Sequence, residues 1–254
     1  MIELRAASKI FDSAGRSVTA VDGVDLQVEA GETLCLIGPS GSGKTTVLKL
    51  INRLVEPSAG QVLVDGEDIA GVDVIRLRRR MGYVIQSGGL FPHRSVAENV
   101  GLLCELEGWS KRKRRERVEQ LLELVNLPAA EYAHRRPREL SGGQQQRVGI
   151  ARALALDPPI VLMDEPFGAL DPITRAQLHE EFLGIEAAVR QTTRKTIVLV
   201  THDLNEAFKL GDRVALLDQG RLAQVGSEET LRTRPASDFV RRFVGSLAGG
   251  GDDA

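Results

Sequence analysis

The residues best suited to chemistry are Gly38, Pro39, Ser40, Gly41, Ser42, Gly43, Lys44 and Thr45, followed by Thr46. Their order satisfies the pattern of a phosphate-binding loop at every fixed position. Glycines there let consecutive backbone N–H groups turn toward one concave anion site, and the dipole of a following helix adds to the attraction. Lys44 would reach the β- and γ-phosphates of a nucleotide, and the Thr45 hydroxyl would help hold Mg²⁺. The plain alternative is a glycine-rich turn that happens to precede a helix. Context argues against it, because Thr33 to Ile37 reads as a buried strand, and Val47, Leu48, Ile51 and Leu54 recur at the spacing of one helical face.

Further polar residues stand where apolar runs end. Ile160-Val-Leu-Met is followed by Asp164 and Glu165, a strand that would deliver Asp164 to a Mg²⁺ and leave Glu165 to polarise an attacking water. A cap for the next helix is the ordinary use of such a pair. Asp171, in Ala169-Leu-Asp171-Pro172, suits an N-cap with proline in the first helical turn. Gln86 closes the strand-like run Met81–Ile85 and is placed to reach a metal or a water, and His202 follows the run Thr196–Val200 as a candidate γ-phosphate sensor. Ser141, Gly142, Gly143 and Gln144 open a helix through Val148, Ile150 and Leu154 and would form a second anion-binding concavity. A plain serine cap accounts for Ser141 but not for two exposed glycines followed by three glutamines.

These residues need strands to present them and helices to flank those strands. Residues 2–8 and 18–28 alternate as strands of a half-exposed sheet, with Phe11 in a loop between them. Phe11 could stack on an adenine or simply pack locally. Pro57-Ser-Ala-Gly60 reads as a turn leading into a strand at Gln61–Asp65, residues 72–80 as a helix, Ala129–Arg136 as irregular, and 213–217 with 221–225 as a closing hairpin. Ser110 followed by Lys-Arg-Lys-Arg-Arg-Glu-Arg117 opens a helix. Its basic face is ordinary solvated surface, or else a contact for anionic lipid headgroups. Gly249–Ala254 reads as a disordered tail.

Composition narrows the class. With 254 residues, 42% hydrophobic and 27% charged, the chain can bury a substantial core. A net charge of −2 lacks the basic excess of a nonspecific nucleic-acid binder, and 4% aromatics leave few stacking platforms for single strands. Cys35 and Cys104 fit no paired metal or redox spacing and read as small buried hydrophobes, which suits a reducing compartment. No run of apolar residues is long enough to span a bilayer, and the N-terminus lacks the layout of a signal peptide. A cytosolic chain is expected.

In their order, these motifs resemble the nucleotide-binding subunits of ATP-binding cassette (ABC) transporters over nearly the whole chain. The resemblance makes Gln86 the Q-loop, Leu140–Gln144 the signature, Asp164 and Glu165 the end of the Walker B strand, Asp171 the D-loop and His202 the H-loop, and it puts Phe11 at the adenine-stacking position, where tyrosine is common. It implies an α/β P-loop NTPase with a RecA-like core, an N-terminal antiparallel β-subdomain and a helical signature subdomain. The boundaries it implies are one ABC ATPase domain over 1–246, with the helical insertion at about 87–157, and a tail over 247–254. It also implies ATP and Mg²⁺ as cofactors, with Thr45, Gln86 and Asp164 around the metal and Lys44, Gln86, Glu165 and His202 in catalysis. Ser141 and Gly143 would close over the ATP of a second copy, giving a head-to-tail homodimer. Permease subunits would hold the chain at the cytoplasmic face of a cell membrane, docked on the segment from Gln86 to about Arg138 near Phe91, Pro92 and His93, with a solute-binding protein as indirect partner and no nucleic acid.

Asn52 to Ser58, Gly82–Gln86 with Gly89–His93, and Pro166–Arg175 look most like importers of quaternary amines such as glycine betaine, carnitine or choline. Several such subunits carry a pair of CBS domains after the cassette. This sequence stops at Ala254, so osmotic regulation through that module is not expected. Amino-acid or lipid transport is a variant of the same motor. A non-transport ABC ATPase acting on DNA or ribosomes would carry a long coiled coil between the motifs or two cassettes, and a small-molecule kinase would leave the signature and His202 unexplained.

Overall fold

The computed structural model describes residues 1–13, 16–86, 89–168, 175, 176, 179, 180, 182–184 and 195–245. Asp171 and the glycine-rich tail from 249 to 254 lie outside the described residues. In chain order the described strands are β1 (Ile2–Ser13), β2 (Arg16–Val28), β3 (Thr33–Ile37), β4 (Ala59–Val64), β5 (Glu67–Asp68), β6 (Met81–Val84), β7 (Ile160–Asp164), β8 (Thr196–Val200), β9 (Arg213–Asp218) and β10 (Arg221–Gly226). The described helices are α1 (Lys44–Ile51), α2 (Val74–Arg79), α3 (Val96–Val100), α4 (Leu102–Leu106), α5 (Lys111–Leu124), α6 (Ala129–Tyr132), α7 (Gly142–Ala153), α8 (Leu204–Leu210), α9 (Glu228–Thr233) and α10 (Asp238–Gly245). They fall into two compact units, one of Met1–Leu77 with Thr196–Ala254 and the other of Arg78–Lys195. None of the described helices is long and apolar enough to cross a membrane.

The first unit holds an antiparallel sheet in the order β2-β1-β4-β5. It also holds a parallel set in which β3 lies between β8 and β9, extended by β10 antiparallel to β9. All five residues of β3 and of β8 are buried, as their unbroken apolar runs require of strands covered on both faces. Phe11 is not in a loop: β1 runs on to Ser13, with Phe11 directly opposite Val18. Two register shifts, between Ala7 and Lys9 and between Lys9 and Ile10, break the period-two pattern there, so the alternation stops short of the strand's real end. Leu54 is likewise not on the α1 face. The helix ends at Ile51, Asn52 Oδ1 accepts from the Leu54 N–H (3.0 Å), Arg53 turns to φ 53°, and the Leu54 side chain is left 47% exposed.

The second unit pairs β6 and β7 in parallel and adds the run of helices from α3 to α7. Val118, Leu121 and Leu122 of α5 are buried, as are Val96 and Val100 of α3 and Val148 and Ile150 of α7. The basic face of α5 is largely paired within the unit. Arg115 bonds Glu119 (2.8 Å), Arg114 bonds Glu105 (2.9 Å), and Arg117 donates to the carbonyls of Leu154 (2.9 Å) and Ala155 (3.0 Å). Residues 129–136 are not wholly irregular, because Pro128 starts a single helical turn, α6, its carbonyl accepting from Glu131 and Tyr132 (both 3.0 Å). One turn is too short to show a helical period in the sequence.

Asn99, fully buried in α3, fixes the loop ahead of that helix. Its Oδ1 accepts from the Phe91 N–H (2.8 Å), while its Nδ2 donates to the carbonyls of Phe91, Arg94 and Ser95 (3.2, 3.2 and 2.9 Å). Replacing it strands several backbone groups at once. Asn99→Leu is expected to lower stability by about 1–3 kcal/mol in urea unfolding and to speed hydrogen exchange at the Phe91 amide. Unchanged exchange at Phe91 would show that the loop holds itself.

Candidate functional site

In the first unit, β3 delivers the chain to Gly38, and the glycine-rich loop leads into α1. Gly38, Gly41 and Gly43 have φ of 150°, 78° and 100°, backbone settings that L side chains rarely adopt. Gly43 is the N-cap, without a side-chain cap bond, and a Cβ on it would lie 2.3 Å from the Ala20 carbonyl oxygen. No larger residue fits between the loop and β2. The first-turn N–H groups of a helix have no intrahelical acceptor, so the loop ends on a set of donors facing out of the helix start. Lys44, almost wholly buried, folds back so that its ammonium donates to the carbonyls of Gly38 (2.8 Å) and Pro39 (2.9 Å). Its charge is therefore held inside the loop's curve.

Parallel register places a second group at the same edge. Leu36 lies opposite Val200, so Gly38 and His202 each stand two residues past a matched pair, and the Thr201 N–H bonds the Leu36 carbonyl (3.1 Å). His202 is exposed there. Asp203 beside it caps α8, accepting from the N–H groups of Asn205 (2.9 Å) and Glu206 (3.2 Å). Phe11 lies in the other sheet of this unit, 41% exposed, with the Lys9 ammonium 5.2 Å from its ring centre. The arm that carries it reaches the loop through Ala20.

In the second unit parallel register again sets two residues side by side. Val84 pairs with Met163, so Gln86 and Glu165 both stand two residues beyond the pair, and Gln86 Nε2 donates to Glu165 Oε2 at 2.8 Å. Asp164 is buried at the end of β7, whereas Glu165 is half-buried with φ 44°. A left-handed non-glycine residue of this kind marks local strain of the sort that collects at functional sites. Burial, and behind it the Asp164 carboxylate, holds the Tyr83 phenol well above its usual range, so it stays protonated on β6.

Ser141 caps α7 in a reciprocal box with Gln144. The Gln144 N–H donates to Ser141 Oγ (3.3 Å), and the Ser141 N–H donates to Gln144 Oε1 (2.9 Å). Gly142 is exposed but Gly143 is buried, so the expectation of two exposed glycines fails. The glutamines also have local work, which a plain cap alone leaves unexplained. Gln144 Nε2 bonds Tyr132 Oη (3.3 Å), and Gln145 Nε2 bonds the Pro137 and Leu140 carbonyls (3.1 and 3.3 Å). Among the described residues Ser141 and Gln144 make no hydrogen bond to Gln86 or Glu165.

Two contributors escaped sequence reasoning. Arg152, near the end of α7, donates to the Gly89 carbonyl (2.7 Å) just past Gln86, and burial lowers its pKa. Gly220, at the tip between β9 and β10, donates its N–H to the Ser42 carbonyl (3.2 Å). Asp218-Gln-Gly220 announced a tight turn in the sequence, but nothing local said what that turn touches.

Residues 21–168 match the profile of the family described as ABC transporter. The chain is 50% identical to the glycine betaine/carnitine/choline transport ATP-binding protein OpuCA of Bacillus subtilis (strain 168), over 96% of this chain and 62% of that protein. It is 49% identical to the glycine betaine uptake system ATP-binding protein YehX of Escherichia coli (strain K12), over 96% of this chain and 77% of that one. The chain thus spans about three-fifths of the length of the first curated relatives it matches. Among solved structures it superposes with a TM-score of 0.79 on the ATP-binding cassette MJ0796, solved as a dimer in a post-hydrolysis state with ADP and Pi. That match is 34% identical and covers 89% of this chain and 98% of the other. On the profile and the relatives together, the chain belongs to the ABC transporter family.

Proposed function

We propose that the chain is the ATP-hydrolysing motor subunit of an importer for quaternary-amine compatible solutes such as glycine betaine, carnitine or choline. The observation that carries the ATPase reading is the Gly38–Thr45 loop, with its left-handed glycines, its helix start and the Lys44 ammonium held on the Gly38 and Pro39 carbonyls. Bound triphosphate would draw that ammonium onto the β- and γ-phosphates, while the loop N–H groups take the remaining oxygens. The substrate class rests on relatives, OpuCA and YehX among them, whose names give glycine betaine, carnitine or choline transport.

Mg²⁺ is a hard ion that keeps several waters and usually takes one or two carboxylates plus phosphate oxygens. The oxygen donors Thr45, Asp164 and Gln86 suit it, with Asp164 the one carboxylate among them. Bound Mg²⁺ would neutralise phosphate charge. Glu165 would orient or deprotonate the water, and Gln86 and His202 would complete the shell around the γ-phosphate. The Gln86–Glu165 bond supports a resting arrangement in which the amide holds the carboxylate still until nucleotide draws Gln86 toward the metal. Asp171, as the D-loop, would serve at the nucleotide, and Phe11 under the adenine.

Ser141, Gly142, Gly143 and Gln144 meet the nucleotide of a second copy, so the working form is a head-to-tail homodimer with two ATP sites. The dimeric state of the MJ0796 cassette supports this. Permease subunits hold the pair at the cytoplasmic face of the membrane, docked on the segment from Gln86 to about Arg138, and a solute-binding protein supplies the cargo. The nucleotide-binding domain runs over 1–246.

Glu165→Gln is expected to lower ATP turnover on the order of 10³-fold, as positioning and electrostatics supply most of the rate in such reactions. With saturating ATP and Mg²⁺ the same variant should elute as a dimer by light scattering. Near-normal turnover would remove Glu165 from its role.

Lys44→Ala and Ser141→Arg should each be inactive alone. Mixed, they should recover activity on the order of a quarter of wild type, because a head-to-tail pair of unlike copies keeps one intact site. A mixture as dead as its components would sink the head-to-tail arrangement. The cargo is tested by uptake of labelled glycine betaine, carnitine and choline in cells that depend on this subunit. Uptake unaffected by Lys44→Ala would remove the quaternary-amine assignment.

A further inference from the structure

We propose that the Gln219–Gly220 hairpin tip is a positioning element of the nucleotide site, fixing the phosphate loop and the β1–β2 arm against each other. The inference rests on the reading of the Gly38–Thr45 loop as a nucleotide site and assigns a role to residues outside all of the nucleotide-binding motifs.

The hairpin of β9 and β10 supports the loop at both ends. At the near end, a Cβ on Gly38 would lie 2.1 Å from the Leu217 carbonyl oxygen, so β9 abuts the loop where it leaves β3. At the far end, the Gly220 N–H donates to the Ser42 carbonyl (3.2 Å), one residue before the N-cap of α1. Ser42 is 2% exposed, which leaves water little access to this part of the loop. The same glycine turns its carbonyl the other way and accepts from the Asp22 N–H of β2 (2.8 Å). Arg221, the next residue, donates from Nε to Asp22 Oδ2 (2.8 Å). One peptide segment therefore bonds the phosphate loop on one side and the arm on the other.

The arm is shaped to meet it. Lys9 pairs with Val21 and Ile10 with Thr19, so Ala20 is an extra residue in β2. Its carbonyl oxygen would lie 2.3 Å from a Cβ on Gly43 and 3.2 Å from one on Gly220. Phosphate loop, bulge and hairpin tip thus meet at a single carbonyl, which excludes a side chain at Gly43 and crowds one at Gly220. The tip itself is set by two consecutive left-handed residues, Gln219 (φ 47°) and Gly220 (φ 82°), which give a stiff two-residue turn. An anion cradle works through the direction of its N–H groups, so a loop released from this brace should bind phosphate less tightly without unfolding.

Binding of mant-ATP with Mg²⁺ by the full chain, set beside the melting temperature without nucleotide, tests this. Gly220→Ala should raise the Kd about tenfold and the KM for ATP in parallel, with kcat within about twofold of wild type. Gly220→Asn, which tolerates a left-handed φ better, should fall between the two. A single glycine inserted between Gln219 and Gly220 moves the N–H off Ser42 in a hairpin that can accept a three-residue loop, and should match Gly220→Ala. Wild-type Kd in both Gly220→Ala and the insertion overturns the proposal, even if their melting temperatures fall, since that is the result of a purely structural turn. If Gly220→Ala does not fold, the insertion decides alone. Lys44→Ala is the separate control: if it binds mant-ATP as tightly as wild type, the nucleotide reading fails and the role of the hairpin tip with it.

Discussion

Parallel pairing is the constraint on which the site depends. A parallel pair brings both chains out at one edge, and a fixed register then decides which residues past that edge become neighbours. In the first unit the Leu36–Val200 pair sets Gly38 beside the segment carrying His202. In the second the Val84–Met163 pair sets Gln86 beside Glu165, and a 2.8 Å hydrogen bond joins them. A slip of one residue in either pair would turn every side chain on that strand to the opposite face and scatter these groups. In the fully buried strands β3, β7 and β8 both faces are enclosed, so it is the close fit of each side chain with its neighbours that opposes such a slip.

A strand tip can carry unfavourable backbone only when the residues just beyond it are anchored. Glu165 takes φ 44°, a setting that costs a non-glycine residue on the order of 1–3 kcal/mol. Two residues later the Phe167 ring is fully buried, edge-on to His179 (4.7 Å between ring centres) and Phe182 (5.8 Å). Burying such a ring contributes about 1.5–3 kcal/mol, enough to offset the strain and keep the carboxylate where Gln86 meets it. The buried His179 thereby gains a packing role that its sequence neighbourhood did not reveal. The phosphate loop is held differently, by close backbone contact with Ala20, Leu217 and Gly220.

The same division separates the features legible in the sequence from those that were not. The loop Gly38–Thr45, the ends of β7 and β8 and the cap at Ser141 were legible because each couples a short polar pattern to an apolar run of strand or helix length. Phe11 was misplaced because a bulge interrupts alternation, and a period-two test cannot see past an inserted residue. Leu54 was misplaced because it keeps the helical spacing after the helix has ended, and the stop lies in Asn52 and Arg53 rather than in a glycine or proline. The cluster Lys111–Arg117 is mostly the solvated face its composition suggested, with Arg112 and Arg115 paired one turn on to Glu116 and Glu119, but the bonds of Arg114 to Glu105 and of Arg117 to the Leu154 and Ala155 carbonyls join residues that no local pattern connects. Gly220 was hidden for a related reason: a turn is local in sequence, but the carbonyl it serves is not.

The cap at Ser141 bears on whether a structural and a functional use of one residue compete. In the capping box Ser141 Oγ acts as acceptor to the Gln144 N–H, at a rather long 3.3 Å. A hydroxyl has one donor and two acceptor sites, so this role consumes a lone pair and leaves the O–H able to donate. Among the described residues Ser141 Oγ makes no other hydrogen bond, and the side chain is exposed. A phosphate oxygen needs donors, and helix N-termini supply them as N–H groups with a favourable dipole. The cap holds the Ser141 side chain against the first turn of α7. The capping box of Ser141 and Gln144 therefore takes nothing from the proposed contact with nucleotide: the bonds that hold the start of α7 are the ones that would pre-organise Ser141 as a donor.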